Sequence, residues 1–228
     1  MQNQHLAVSD ATEFQKATFY KRTYAHVAGA ILAFIGVEWI LINIVPTEVL
    51  SWMLSGKFIW LFIIGLFWIG SMISTKMSFS LSRNTQYLGL GLFILLEAMI
   101  FLPMIYIAVM YTGIELISQA ALITLFMFSG LTAVVFFTKT DFSFLRTALI
   151  LGGFIALGTI VAGAVFGFNL GLWFSVGMVI LASGSILYET QQIKDNYSTE
   201  QYVGAALQLF ASIMLLFYYI LRILMSRK

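Results

Sequence analysis

Seven long apolar runs organise this sequence: Val27–Val45, Phe58–Thr75, Tyr87–Tyr111, Ile117–Thr138, Leu145–Phe166, Leu170–Tyr188 and Val203–Met225. Each has the roughly 17–25 residues that an α-helix needs to cross about 30 Å of hydrocarbon. In lipid the backbone must satisfy its own N–H and C=O groups, which only helices and closed β-barrels can do. The runs are continuous rather than alternating apolar and polar, which argues against a barrel. The expected fold is therefore all-α integral membrane, with seven transmembrane helices joined by short connections. Composition agrees: 61% of the 228 residues are hydrophobic and 10% charged, against about half and one quarter in soluble domains. Residues 1–24 form a polar N-terminal segment, expected on the cytoplasmic side, and 25–228 a seven-span membrane domain. Met1–Tyr24 contains no apolar stretch leading to a cleavage site, so insertion is expected to rely on the first span.

The same residues exclude whole classes of function. A net charge of +2 without a run of Lys or Arg gives no nucleic-acid surface. There is no Cys, and the only histidines are His5 and His26, so thiolate sites, haem pairs and His-based triads have no donors. The last run lacks the lysine that a retinal Schiff base requires. A Ser–Lys dyad lacks its lysine, and Asp10, Asp141 and Asp195 fall outside the runs. No enzymatic activity and no cofactor are expected. With a cytoplasmic N-terminus, the inner side would hold Lys16, Lys21, Arg22, Lys76, Arg83, Lys139, Arg146 and Lys194, as the positive-inside rule favours. The outer side would hold Lys57, Arg222, Arg227 and Lys228. That basic C-terminus is either an exception or a sign that one segment re-enters without crossing.

Small residues suit helix packing in lipid, as along the Gly29, Ala33, Gly36 face. Pro103 frees the Met99 carbonyl and should kink the third span. The informative residues are those that hydrocarbon rejects, since a charge at the bilayer centre costs at least ~2.5 kcal/mol on insertion scales. Glu97 lies near the middle of the third span and is expected to face the bundle interior. Glu38, in the second half of the first span, could reach the outer interface. Glu189 ends the sixth run, and Ser185, Glu189 and Gln192 share one helical stripe. Gln208, Ser212, Tyr219 and Arg222 share another on the last span. On consecutive antiparallel helices, two such stripes could enclose a wet seam. Each of these polar residues also admits a purely structural role.

Four segments carry a family resemblance. Leu95-Leu96-Glu97-Ala98 followed by Leu102-Pro103 is similar to an LEG…SP pattern in a third span. Thr138 to Leu145 resembles a TK-x-D-[LF]-S-x-[LF] loop that contains Asp141. Tyr188-Glu189-Thr190-Gln191-Gln192-Ile193 resembles a YD-[TL]-x-x-I helix end, and Ala206–Leu224 a final helix. In this order they resemble the Bax inhibitor-1, or transmembrane Bax inhibitor motif, family. The resemblance implies a last helix surrounded by six others, and a pH-sensitive calcium leak gated by two proton-sharing aspartates. The first aspartate aligns with Glu189. Ser212 stands where the second is expected, so the dicarboxylate pair is absent as such, and Glu189 is left to bond Ser212 or to pair with Glu97 or Arg222.

Two readings follow. One is a cation leak centred on Glu189 and Glu97, which would make transient calcium or proton contacts, with Ser212 and Arg222 alongside and Glu38, Gln208 and Asp141 in secondary roles. The other is a non-transporting regulator held at its N-terminus by a membrane-anchored ATP-dependent protease, a partner that the resemblance suggests. A bacterial inner membrane is the expected location, and lipids are the expected surroundings.

Overall fold

The computed structural model describes residues 7–226. Eight α-helices follow a short 3-10 turn at Val8–Asp10: α1 (Glu13–Ile44), α2 (Thr47–Leu54), α3 (Lys57–Ser78), α4 (Arg83–Ile107), α5 (Ile114–Phe137), α6 (Leu145–Phe166), α7 (Gly171–Asp195) and α8 (Tyr202–Met225). All except α2 are long and apolar enough to cross a membrane, and the chain is an integral membrane protein of seven spans. No described span turns back midway. The basic residue Arg222 therefore sits at the far end of a full seventh crossing; Arg227 and Lys228 lie outside the described residues, as does His5.

The first helix starts far upstream of its apolar run. Thr12 accepts the Gln15 N–H, and the Gln15 side chain accepts the Thr12 N–H at 2.9 Å, a reciprocal cap that begins the helix in polar sequence. At 32 residues, α1 is about 48 Å long and overshoots ~30 Å of hydrocarbon. The boundary after residue 24 thus falls inside α1, and residues 1–6 lie outside the described residues. The octapeptide α2 is too short to span. It buries Leu50 and Met53 and exposes Val49, Trp52 and Leu54, the pattern of a helix lying in the interface. Trp39 and Trp173, near span ends, are also exposed.

The last helix is the centre. It packs against α1, α3, α4, α5 and α7. Of its most apolar window 56% is buried, with α4 next at 50% and only 6% for α3 and 11% for α6, so those two form the outer wall. Phe210 of α8 contacts the rings of Phe34 and Phe93, and Phe217 stacks on Phe101 at 5.8 Å. α4 runs through Pro103 and then widens into a π turn at Ala108–Thr112, which Gly113 ends with φ +93°. Met99 is exposed and does not line the cavity described below.

The small face of α1 is not used for packing within the chain. Gly29, Ala33 and Gly36 are exposed, and a Cβ on either glycine would meet nothing. The close approach is elsewhere. A Cβ on Gly89 of α4 would lie 2.7 Å from the Ser74 carbonyl oxygen and the Ser78 nitrogen of α3. Gly89→Ala should therefore lower stability by about 1–3 kcal/mol through overpacking, whereas Gly29→Ala should be neutral or stabilising by up to ~1 kcal/mol through helix propensity. Thermal unfolding of the two variants in detergent checks the contrast.

Candidate functional site

The turn between α7 and α8 sets the register of two polar stripes. Ser185 and Ser212 each lie ten residues from the helix ends that flank the turn, about 15 Å deep, and Glu189 and Gln208 each lie six residues, about 9 Å. Equal counts on antiparallel neighbours bring equal levels together. The Ser185 and Ser212 hydroxyls accordingly meet at 2.7 Å. Ser212 also donates to the Gln208 carbonyl at 3.1 Å, which leaves Ser185 as the donor in the shared bond.

The seam opens into a cavity of about 800 Å³ between the outer helices α3 and α6, with α4, α7 and α8 behind it. Glu97, Glu189, Gln208, Ser212 and Arg222 all line it. From Gln208 to Arg222 it follows α8 for fourteen residues, about 21 Å, most of the membrane's depth. Its walls change along that length. Ser71, Thr75, Ser185 and Gln208 face the half nearer the N-terminal side; Trp60, Ile64, Ile160 and Leu215 face the other.

The pairings that the sequence left open resolve differently. Glu189 bonds neither Ser212 nor Arg222. It accepts a hydrogen bond at 3.0 Å from the phenol of Tyr197, in the α7–α8 turn. Burial, and then the Glu189 carboxylate, push the Tyr197 pKa up, so this phenol stays protonated and remains a donor. The Tyr197 ring stacks on Phe79 at 5.6 Å. Phe79 in turn abuts Gly204, where a Cβ would lie 2.6 Å from the ring. Tyr197 and Phe79 thus stand beyond Glu189, at the end of the cavity nearer the N-terminal side. The Arg222 side chain makes no ion pair or hydrogen bond among the described residues and lines the opposite end. α7 continues six residues past Glu189, so that residue lies inside the helix rather than ending it, and Asp195 is its last residue.

Two residues expected near the site are elsewhere. Glu38 does not reach the interface. It is 5% exposed, neither carboxylate oxygen has a hydrogen-bond partner, and it does not line the cavity. Asp141 is exposed in the α5–α6 loop and accepts the Ser143 N–H at 2.9 Å. Bonds from the Ser143 hydroxyl and N–H hold its carboxyl below the usual range, as in a local turn. Among the described residues, no group of three or more His, Asp or Glu could hold a metal ion.

Tyr197 was not visible as a partner because it follows the span in a polar stretch. Its phenol is the one donor bonded to the Glu189 carboxylate among the described residues, and its loss strands a buried acceptor. Tyr197→Phe should lower stability by about 1–3 kcal/mol. That cost should shrink when Glu189 is replaced by Leu, giving a measurable coupling in a double-mutant cycle of detergent melts.

Comparison with known proteins agrees with this architecture. The family model described as "Inhibitor of apoptosis-promoting Bax1" matches residues 16–228. A Pseudomonas aeruginosa relative, "Uncharacterized protein PA2604", is 34% identical over 119 residues, covering 50% of this chain and 53% of the relative. The match thus spans about half the length of that curated relative. The family match extends over nearly the whole chain, five of the other spans pack against the last helix, and the chain belongs to the Bax inhibitor-1 family.

Proposed function

We propose that the cavity is a pH-sensitive cation leak pathway for calcium or protons. The observation that carries this reading is that two carboxylates within the spans, Glu97 of α4 and Glu189 of α7, line the same long cleft. A carboxylate in hydrocarbon is tolerated where water or a partner receives it, and here both share one space with the bonded Ser185–Ser212 hydroxyl pair. Glu97 supplies charge near mid-membrane, and Glu189 supplies the gate. A phenol donates more strongly to an ionised carboxylate than to a neutral acid. Protonating Glu189 therefore loosens Tyr197 and biases the closed–open balance toward open. Ser212 keeps the place of the family's second aspartate, with a hydroxyl bond instead of a shared proton.

A second reading, a non-transporting regulator held by a membrane-anchored ATP-dependent protease, draws on the start of the chain. Val8 is fully buried, so a partner gripping residues before it would have to act against that docking. For location we infer a bacterial inner membrane with the N-terminus cytoplasmic. The eight cations from Lys16 to Lys194 named above lie toward one face, in the first turns of α1, in the α5–α6 loop and near the ends of α3, α4, α6 and α7, in line with the positive-inside rule, and the Pseudomonas relative supports a bacterial setting.

The test is calcium and proton flux in proteoliposomes. Wild-type leak should rise as pH falls from neutral to mildly acidic. Glu189→Gln, which cannot ionise, should leak more at neutral pH and lose the pH response. Glu97→Gln should leak less at every pH. A leak unchanged by both substitutions would overturn the assignment.

A further inference from the structure

The start of the chain lies across the α7–α8 turn. Ala7 forms an antiparallel bridge with Ser198, and the Val8 N–H donates to the Tyr197 carbonyl at 2.9 Å. The Val8 side chain is fully buried in the same apolar cluster as Ile193, Tyr202 and Val203. Tyr197 therefore has two contacts in opposite directions. Its backbone receives the N-terminal segment, and its side chain holds the cavity's Glu189 and stacks on Phe79.

We propose that residues 7–11 are an intramolecular clasp that keeps the N-terminal-face end of the cleft shut by holding Tyr197 in place over Glu189. The proposal rests on reading the cleft as an ion path. Removing the clasp takes away the support on the far side of the turn. Tyr197 then leaves Glu189 and Phe79, and that end of the cleft admits water. The contacts favour a local release over unfolding. The clasp consists of one backbone bridge and two small buried side chains, Val8 and Ala11. The end of α7 is held separately, by the Tyr20 phenol on the Lys194 carbonyl at 3.3 Å and the Lys194 ammonium on the Val135 carbonyl at 3.0 Å. The far side of the turn stays tied to α4 through Arg83 and Glu200 at 2.6 Å. These anchors, with the Tyr197 N–H on the Gln192 carbonyl at 3.0 Å, hold the backbone of the turn and leave the Tyr197 side chain as the part that swings.

Val8→Pro in the full chain tests the clasp. Ala7 is extended (φ −63°, ψ 146°) and Val8 opens a helical turn, conformations compatible with proline at position 8. The substitution thus removes the N–H donor without forcing the backbone. The chain has no Cys, so a single cysteine replacing Thr75, which lines the cleft, reports access by a membrane-impermeant thiol reagent. Labelling from the N-terminal face should rise about tenfold with Val8→Pro, as loss of one hydrogen bond of ordinary worth would shift a closed–open balance. Tyr197→Phe should raise it similarly, and the double variant no further. Deleting residues 1–8 is the second variant, with the same expected rise. Unchanged labelling in variants that melt like wild type overturns the clasp. Faster labelling without cation flux in any variant upholds the clasp and removes the ion-path reading beneath it.

Discussion

A polar group inside hydrocarbon must find a partner or water, and the arrangement around α8 follows from that requirement. The last helix carries Gln208, Ser212 and Arg222 along one side. Had those groups faced lipid, each would have stood without a partner. Enclosure by five neighbouring helices removes most of α8 from lipid, and the remaining polar side meets the matching side of α7. The Ser185–Ser212 bond is the tightest expression of this match. The cavity beside it supplies room where direct bonding stops. Glu38 departs from the pattern, buried in α1 with no bonded partner.

Much of this was legible in the sequence, for identifiable reasons. The seven spans were readable because hydrocarbon thickness imposes a run length that few other structures need. The α7 and α8 stripes were readable because i, i+4 spacing survives any packing arrangement, and five of the seven candidate residues line one cavity. Three things were not readable. Tyr197 acts from a turn, where no period exists to place its side chain. Val8 looks like part of a polar leader, and only the folded α7–α8 turn gives it a burial site. The α1 cap at Thr12 and Gln15 lies well outside the hydrophobic signal that marked the span. The Arg222 pairing was plausible from stripe membership alone, but about 21 Å of helix separates that residue from the level of Glu189.

The exchange of an expected carboxylate for Ser212 changes the character of the site more than its shape. Two acids sharing a proton form a coupled unit whose titration belongs to both. Here Ser212 is occupied by Ser185 and by the Gln208 carbonyl, and Glu189 is occupied by Tyr197. The seam and the acid are thus separately satisfied. On the reading proposed above, the response to protons rests on one carboxylate and the phenol bonded to it.

The bridge between Ala7 and Ser198 joins segments separated by six spans, and that has a temporal corollary. Loops of such length close late, because long-range contacts must await the segments between them. Residues 7–11 are made before the α7–α8 turn that receives them, with six spans in between. This contact can therefore form only once those spans and the turn exist, after the contacts between neighbouring helices.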